Sequence, residues 1–236
     1  MKSMPKFLIS IIIIAVIVLA YFFVKQPGTA GRSYQLMKWF KNQDKSNLPQ
    51  VANGTVCGSA PFQQPTDGII GYIWGDSFRP GHHHQGIDIF GGEEPGITPV
   101  YTAYSGYLTR LPDWKSTVII RIPEDPLQPS RQIWTYYTHF ADENGNSYIS
   151  DMFPPGTYEL FVEAGTLLGY QGNYSGTPGH PVGVHLHFSI VKDDGQGQFL
   201  NELDIKNTID PSPYFQMNLN AKDNPLDIPT CIDTIN

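Results

Sequence analysis

Cysteine is nearly absent from this sequence: Cys57 and Cys231 are the only two in 236 residues. That excludes a structural zinc site closed by cysteines and leaves room for one disulfide at most. Positive charge is also short. The chain has 15 Lys and Arg against 22 Asp and Glu, for a formal net charge of −7. No nucleic-acid partner is expected from such a surface. An anionic polymer would have to be held by the shape of a groove rather than by charge. Beyond the first 25 residues there is no long helical pattern, no internal repeat and no low-complexity run.

Gly (23), Pro (20), Tyr (13) and Phe (13) are abundant. That mix suits short strands joined by tight turns. The stretches 67–75, 100–111, 116–122, 131–140, 157–162, 166–172 and 184–191 are rich in β-branched and aromatic residues and bounded by Gly, Pro and Asp. They predict an all-β domain over residues 59–215, a compact antiparallel sheet of barrel- or sandwich-like form. Residues 25–58 read as a polar linker and 216–236 as a polar tail. Within the linker, "SYQLMKWFKNQ" (33–43) has a second reading as a short amphipathic helix on a membrane surface.

The one long apolar run is "FLISIIIIAVIVLAYFFV", residues 7–24, which carries no charge. Its 18 residues are just enough to cross a bilayer as a helix. Lys2 and Lys6 before it favour a cytoplasmic start at residues 1–6 and an exported body, a single-pass protein of the cell membrane. The alternative is secretion after cleavage of a signal peptide behind Ala30, where "GTAG" supplies small residues. Either way the body lies outside the cytoplasm, where Cys57 and Cys231 can pair and tie the tail to the domain's entrance.

All seven histidines fall in the predicted β domain. In "HLHF" (185–188), His185 and His187 are two apart on a strand and share a face, so both imidazoles can serve one site. In "GHHHQGID" (81–88), His84 and Asp88 would lie about 13 Å apart on a straight strand, too far for one metal. A chain bent at Gly86, using glycine's backbone freedom, would bring them together. Imidazole and carboxylate suit Zn²⁺, and with His187 they would make three protein ligands with a fourth position open, the pattern of a catalytic zinc. His82 and His83 lack this register and read as a rim of the cleft, with His82 placed to touch substrate.

These residues resemble the lysostaphin-type (LytM-like) zinc endopeptidases of bacterial peptidoglycan. The family's His-x-Gly-x-Asp, single His and His-x-His appear here in order as "HQGID" (84–88), "YYTHF" (136–140) and "HLHF" (185–188). "VEAGTLLGYQGNYSGTPG" is similar to the family's Gly-rich approach to His-x-His, and "IDPSPYF" to its closing strand; the likeness runs from about residue 62 to 215. It implies one Zn²⁺ per chain held by His84, Asp88 and His187, with His139 and His185 as the catalytic histidine pair. It implies peptidoglycan peptides as partners, and His185 as the base that takes a proton from water while His139 assists at the oxyanion.

Two departures stand out. Ser189 replaces the acidic residue that usually follows His-x-His-Phe. The stretch 141–163 is longer than the family's and reads as a hairpin around "PPGT" that would wall the cleft or be a surface insertion. His180 reads as an exposed loop residue. An Asn such as Asn47 or Asn53 is a candidate to fill the open metal position and keep the enzyme latent. Competing functions are a non-catalytic regulator of wall hydrolases with the same fold, and a zinc peptidase with a protein substrate.

Overall fold

The structure is a computed structural model that describes residues 29–42, 48–77 and 79–232. The expected membrane helix at 7–24 and the segment before it lie outside the described residues. Among the described residues no helix is long and apolar enough to cross a membrane.

Ten short strands dominate: β1 Ile69–Tyr72, β2 Ile87–Phe90, β3 Pro99–Tyr101, β4 Gly106–Thr109, β5 Val118–Ile122, β6 Ile133–Thr138, β7 Leu160–Val162, β8 Leu167–Tyr170, β9 Leu186–Lys192 and β10 Thr208–Ile209. The main sheet runs β1-β2-β9-β6-β5-β4-β7, with β10 also pairing β9, and β3 and β8 form a separate two-stranded sheet. Every pairing between these strands is antiparallel. The sequence misses β2 as a strand, because its four residues "IDIF" follow directly on the bend at "HQG".

Strand parity sorts the side chains. Ile87 and Ile89 of β2, Tyr137 of β6, and Leu186, Phe188 and Ile190 of β9 enter the main core, where Phe62, Phe188 and Phe215 meet edge to face. Alternate positions face the other way. Ile119, Trp134 and Val191 build a smaller apolar cluster on that outer face, and Asp88 and His187 occupy the same face further along the strands. Both faces are thus occupied at β5 and β9, and nearly every residue of these two strands is buried.

Four expectations change. The span expected to be a linker contains a 14-residue helix, α1 (Thr29–Asn42). It lies against the domain, with Leu36 and Trp39 buried against Ile69, Phe90 and Ile228. Arg32 anchors it: the guanidinium is fully buried, donates to both oxygens of Asp76 at 2.6 and 2.8 Å, and reaches the carbonyls of Gly71 and Asn224. The tail is also packed. Met217 and Leu219 are wholly buried, and Cys231 forms the expected disulfide with Cys57, the Cα atoms 5.3 Å apart. "PPGT" does not turn a hairpin over the cleft. Its segment feeds β7, which pairs β4 at the edge of the sheet remote from β1 and β2. Finally "DPSPYF" closes the domain as a four-residue helix, α2 (Ser212–Phe215), after β10, because Pro211 and Pro213 suit a helix start and not a strand ladder.

Candidate metal centre

Asp88 on β2 and His187 on β9 are direct partners across the antiparallel ladder. Opposed side chains start about 5 Å apart at Cβ, and here His187 Nδ1 comes to 2.8 Å from Asp88 Oδ1. His84 arrives from the loop before β2. Its backbone pairs with Gly75 and Asp76, and its Nε2 lies 3.1 Å from both Asp88 Oδ1 and His187 Nδ1. The bend expected at Gly86 has a different cause. Gly86 does not use the left-handed region; a Cβ there would sit 2.0 Å from the carbonyl oxygen of Phe188. Glycine is needed for close approach of the two strands.

The remaining ring nitrogens define the proton positions. His84 Nδ1–H donates to the Ile73 carbonyl at 3.1 Å, and His187 Nε2–H donates to Glu202 Oε1 at 2.9 Å. Each ring therefore turns a lone pair towards the other and towards Asp88. Three acceptor atoms from His84, Asp88 and His187, all buried, lie within 4.8 Å of one another. Such a set could hold a metal ion. Burial pushes the His187 imidazolium down, but Glu202 and Asp88 beside it prevail and raise its pKa to about 10. Burial raises the Asp88 carboxyl, yet the surrounding histidines hold it well below the usual carboxylate range. Without a metal His187 is therefore an imidazolium, its Nδ1–H donating to Asp88 and its Nε2–H to Glu202; loss of the Nδ1 proton frees the lone pair for a metal. Two imidazoles and one carboxylate, with carbonyl and carboxylate partners behind the rings, also fit Zn²⁺ and leave a fourth position open.

The other two predicted histidines are here as well. His185 immediately precedes β9, and its Nδ1–H donates to Gly183 O at 2.6 Å. His139 immediately follows β6, and its Nδ1–H donates to Tyr174 O at 2.7 Å. Both therefore keep Nε2 as an acceptor. The rings lie 4.4 Å apart, and His185 Nε2 is 3.6 Å from Asp88 Oδ1. Burial lowers the pKa of both, to about 3 for His139, whose ring also faces His185 and His187. Both are neutral near pH 7 and able to accept a proton. His139 holds a left-handed backbone (φ 76°), a sparsely populated conformation for a non-glycine residue and one that recurs at functional sites.

The five residues line one cleft of about 760 Å³. His82 lines it too, whereas His83 belongs to a separate groove of about 940 Å³ beside Trp74, Lys206 and Lys222. His180 is exposed on the 175–183 loop, as expected. Asn53 is not among the residues lining the cleft, its N–H bonding Asp67, and Asn47 lies outside the described residues. Nothing from 141–163 reaches the cleft. Sequence reasoning missed Glu202. It looked for an acid at 189, where the buried Ser189 stands on the face of His187, but the acid comes from a turn thirteen residues later. No spacing rule marks such a residue. It also missed Phe90, whose ring stacks on His185 at 4.9 Å.

No protein-family profile matches the chain, and no curated protein does. Solved structures do. Lysostaphin from Staphylococcus simulans, the protein after which the resembled family is called, matches at 17% identity over 72% of this chain and 55% of its own, with a TM-score of 0.39. The catalytic domain of the prophage-encoded M23 protein EnpA from Enterococcus faecalis matches at 22% identity over 64% of this chain and 95% of that one, TM-score 0.37. Csd3 from Helicobacter pylori matches at 19% identity over 59% of this chain and 33% of that one, TM-score 0.37. The alignment thus spans a third of one of these relatives and about half of another. The likenesses are partial, and the functional reading stands on the chemistry of the site.

Proposed function

We infer that this chain is a zinc-dependent endopeptidase that hydrolyses peptide bonds in bacterial peptidoglycan, held outside the cell membrane by residues 7–24. The observation that carries the reading is the convergence of lone pairs from His84, Asp88 and His187, with the acceptor nitrogens of His139 and His185 beside them in one cleft. A domain that only bound other wall enzymes would gain nothing from two further neutral imidazoles next to a metal-type donor set.

His84, Asp88 and His187 would hold the zinc, which would supply Lewis acidity to a peptide carbonyl and lower the pKa of a bound water towards neutrality. The chain's own residues do the rest. His185 Nε2 takes the proton from the attacking water, its ring oriented by Gly183 and packed on Phe90. The same nitrogen returns that proton to the leaving amine. His139, neutral and with its Nδ1–H held by the Tyr174 carbonyl, lies beside His185 and assists that proton transfer through its Nε2 lone pair. Asp88 holds the cationic charge of the group in place, and Glu202 fixes the tautomer of His187.

Metal content and cleavage measured on one sample test this. About one zinc per chain, and new amine ends from purified peptidoglycan that are missing with His185→Ala, are expected. Folded protein that binds zinc and cuts neither wall fragments nor glycine-rich peptides would defeat the reading, and folded protein without zinc would favour a regulator.

A further inference from the structure

The cleft has a wall that does not belong to the sheet. α1 is pinned by the Arg32–Asp76 pair and by the buried Leu36 and Trp39, while Met37 and Phe40 of the same helix remain 50% and 40% exposed. Both line the cleft that holds the five site residues. The link to the reacting groups is short: Phe40 meets Phe90 edge-on at 5.5 Å, and Phe90 stacks on His185. Val182 and Leu203 add further exposed apolar surface to the same cleft. Among the described residues no Lys or Arg lines it, and its carboxylates, Asp88 and Glu202, are both bonded to His187. An apolar, cation-free surface continuous with a polar reacting centre is the usual make-up of a ligand subsite.

We propose that α1 is a substrate-binding wall, on which Met37 and Phe40, with Val182 and Leu203, hold an uncharged apolar residue of the peptide next to the scissile bond. This rests on the endopeptidase reading and adds its specificity. A carboxylate or ammonium placed there would lose water against Met37 and Phe40 and meet no Lys or Arg, and no carboxylate other than the two bonded to His187. The cleft therefore rejects acidic and basic residues beside the cut. α1 is then part of the enzyme, not a tether, although it lies before the β domain in sequence.

The test uses the full chain loaded with zinc and three peptides of one Gly/Ala backbone, carrying Leu, Asp or Lys beside the susceptible bond. Cleavage is followed as kcat and KM. Binding without turnover is followed on His185→Ala protein. The wild type should favour the Leu peptide over the Asp peptide by roughly tenfold or more in kcat/KM, in line with one apolar pocket contact. Met37→Lys lies at a half-exposed site, so folding and zinc content should hold. It should raise KM for the Leu peptide with little change in kcat and invert the preference towards Asp. Equal handling of all three peptides, or no response to Met37→Lys, would overturn the proposal, as would a lack of binding to any of them. Should no peptide be cut while the Leu preference in binding and its inversion persist, the wall stands and the endopeptidase reading falls.

Discussion

Asp88 and His187 face each other across the β2–β9 ladder, and their side chains touch at 2.8 Å on the outer face of the sheet. Strand register alone brings together two of the three candidate metal ligands. A slip of one residue in β2 would send Asp88 into the apolar core and bring Ile87 or Ile89 out.

Metal binding should release about one proton per chain at pH 7 to 8. The reason is the proton that Glu202 and Asp88 keep on His187, with a pKa near 10, and which the metal must displace. Calorimetric titration of zinc in buffers of different ionisation enthalpy measures this number. The sign for the metal-free fold follows. A raised folded-state pKa contributes stability that is complete below 6.5 and disappears as pH rises through about 10. Metal-free protein should lose melting temperature across that window, and His187→Gln should flatten the loss.

Glu202→Gln should weaken zinc binding about 10- to 100-fold, the usual cost of removing the partner behind a metal-bound histidine. Gln can still accept the His187 N–H, so the fold should survive. Competition with a chelator gives the affinity and circular dichroism the fold. Unchanged affinity would mean that His187 is oriented by the sheet alone.

His185→Ala should keep zinc and lose about 10²- to 10⁴-fold in kcat. The pKa of His185 is lowered first by burial and further by His187 and His84. The acid limb of the wild-type rate profile should therefore lie below pH 6.5. A limb above that value would assign the titrating group elsewhere.

Arg32→Ala should cost about 3–5 kcal/mol, because it leaves the Asp76 carboxylate buried and uncompensated. Loss of helix packing on β1 should follow, seen as a lower denaturant midpoint and new protease sensitivity near residue 40. Replacing both residues with apolar ones of similar volume should restore much of the loss.

Reduction of the Cys57–Cys231 bridge should destabilise the domain by about 5 kcal/mol, the loop-closure value for a separation of 174 residues. Urea unfolding with and without reductant measures it.

The all-β class, the disulfide and the five candidate site residues were legible in the sequence itself. Strand signals are local and have period two, and ligand types at short spacings such as His84-to-Asp88 and His185-to-His187 carry their chemistry with them. What the tertiary structure alone decided is which distant residues join them. α1 reads as a linker because its value comes from contacts with Phe90, Asp76 and Ile228 that no local pattern encodes. Glu202 carries no local mark in the sequence; only the turn after β9 lays it against His187. Gly86 is visible as a glycine, but its purpose, contact with the Phe188 carbonyl, exists only once two strands meet. Such features depend on long-range proximity, which chain folding creates and sequence spacing does not record.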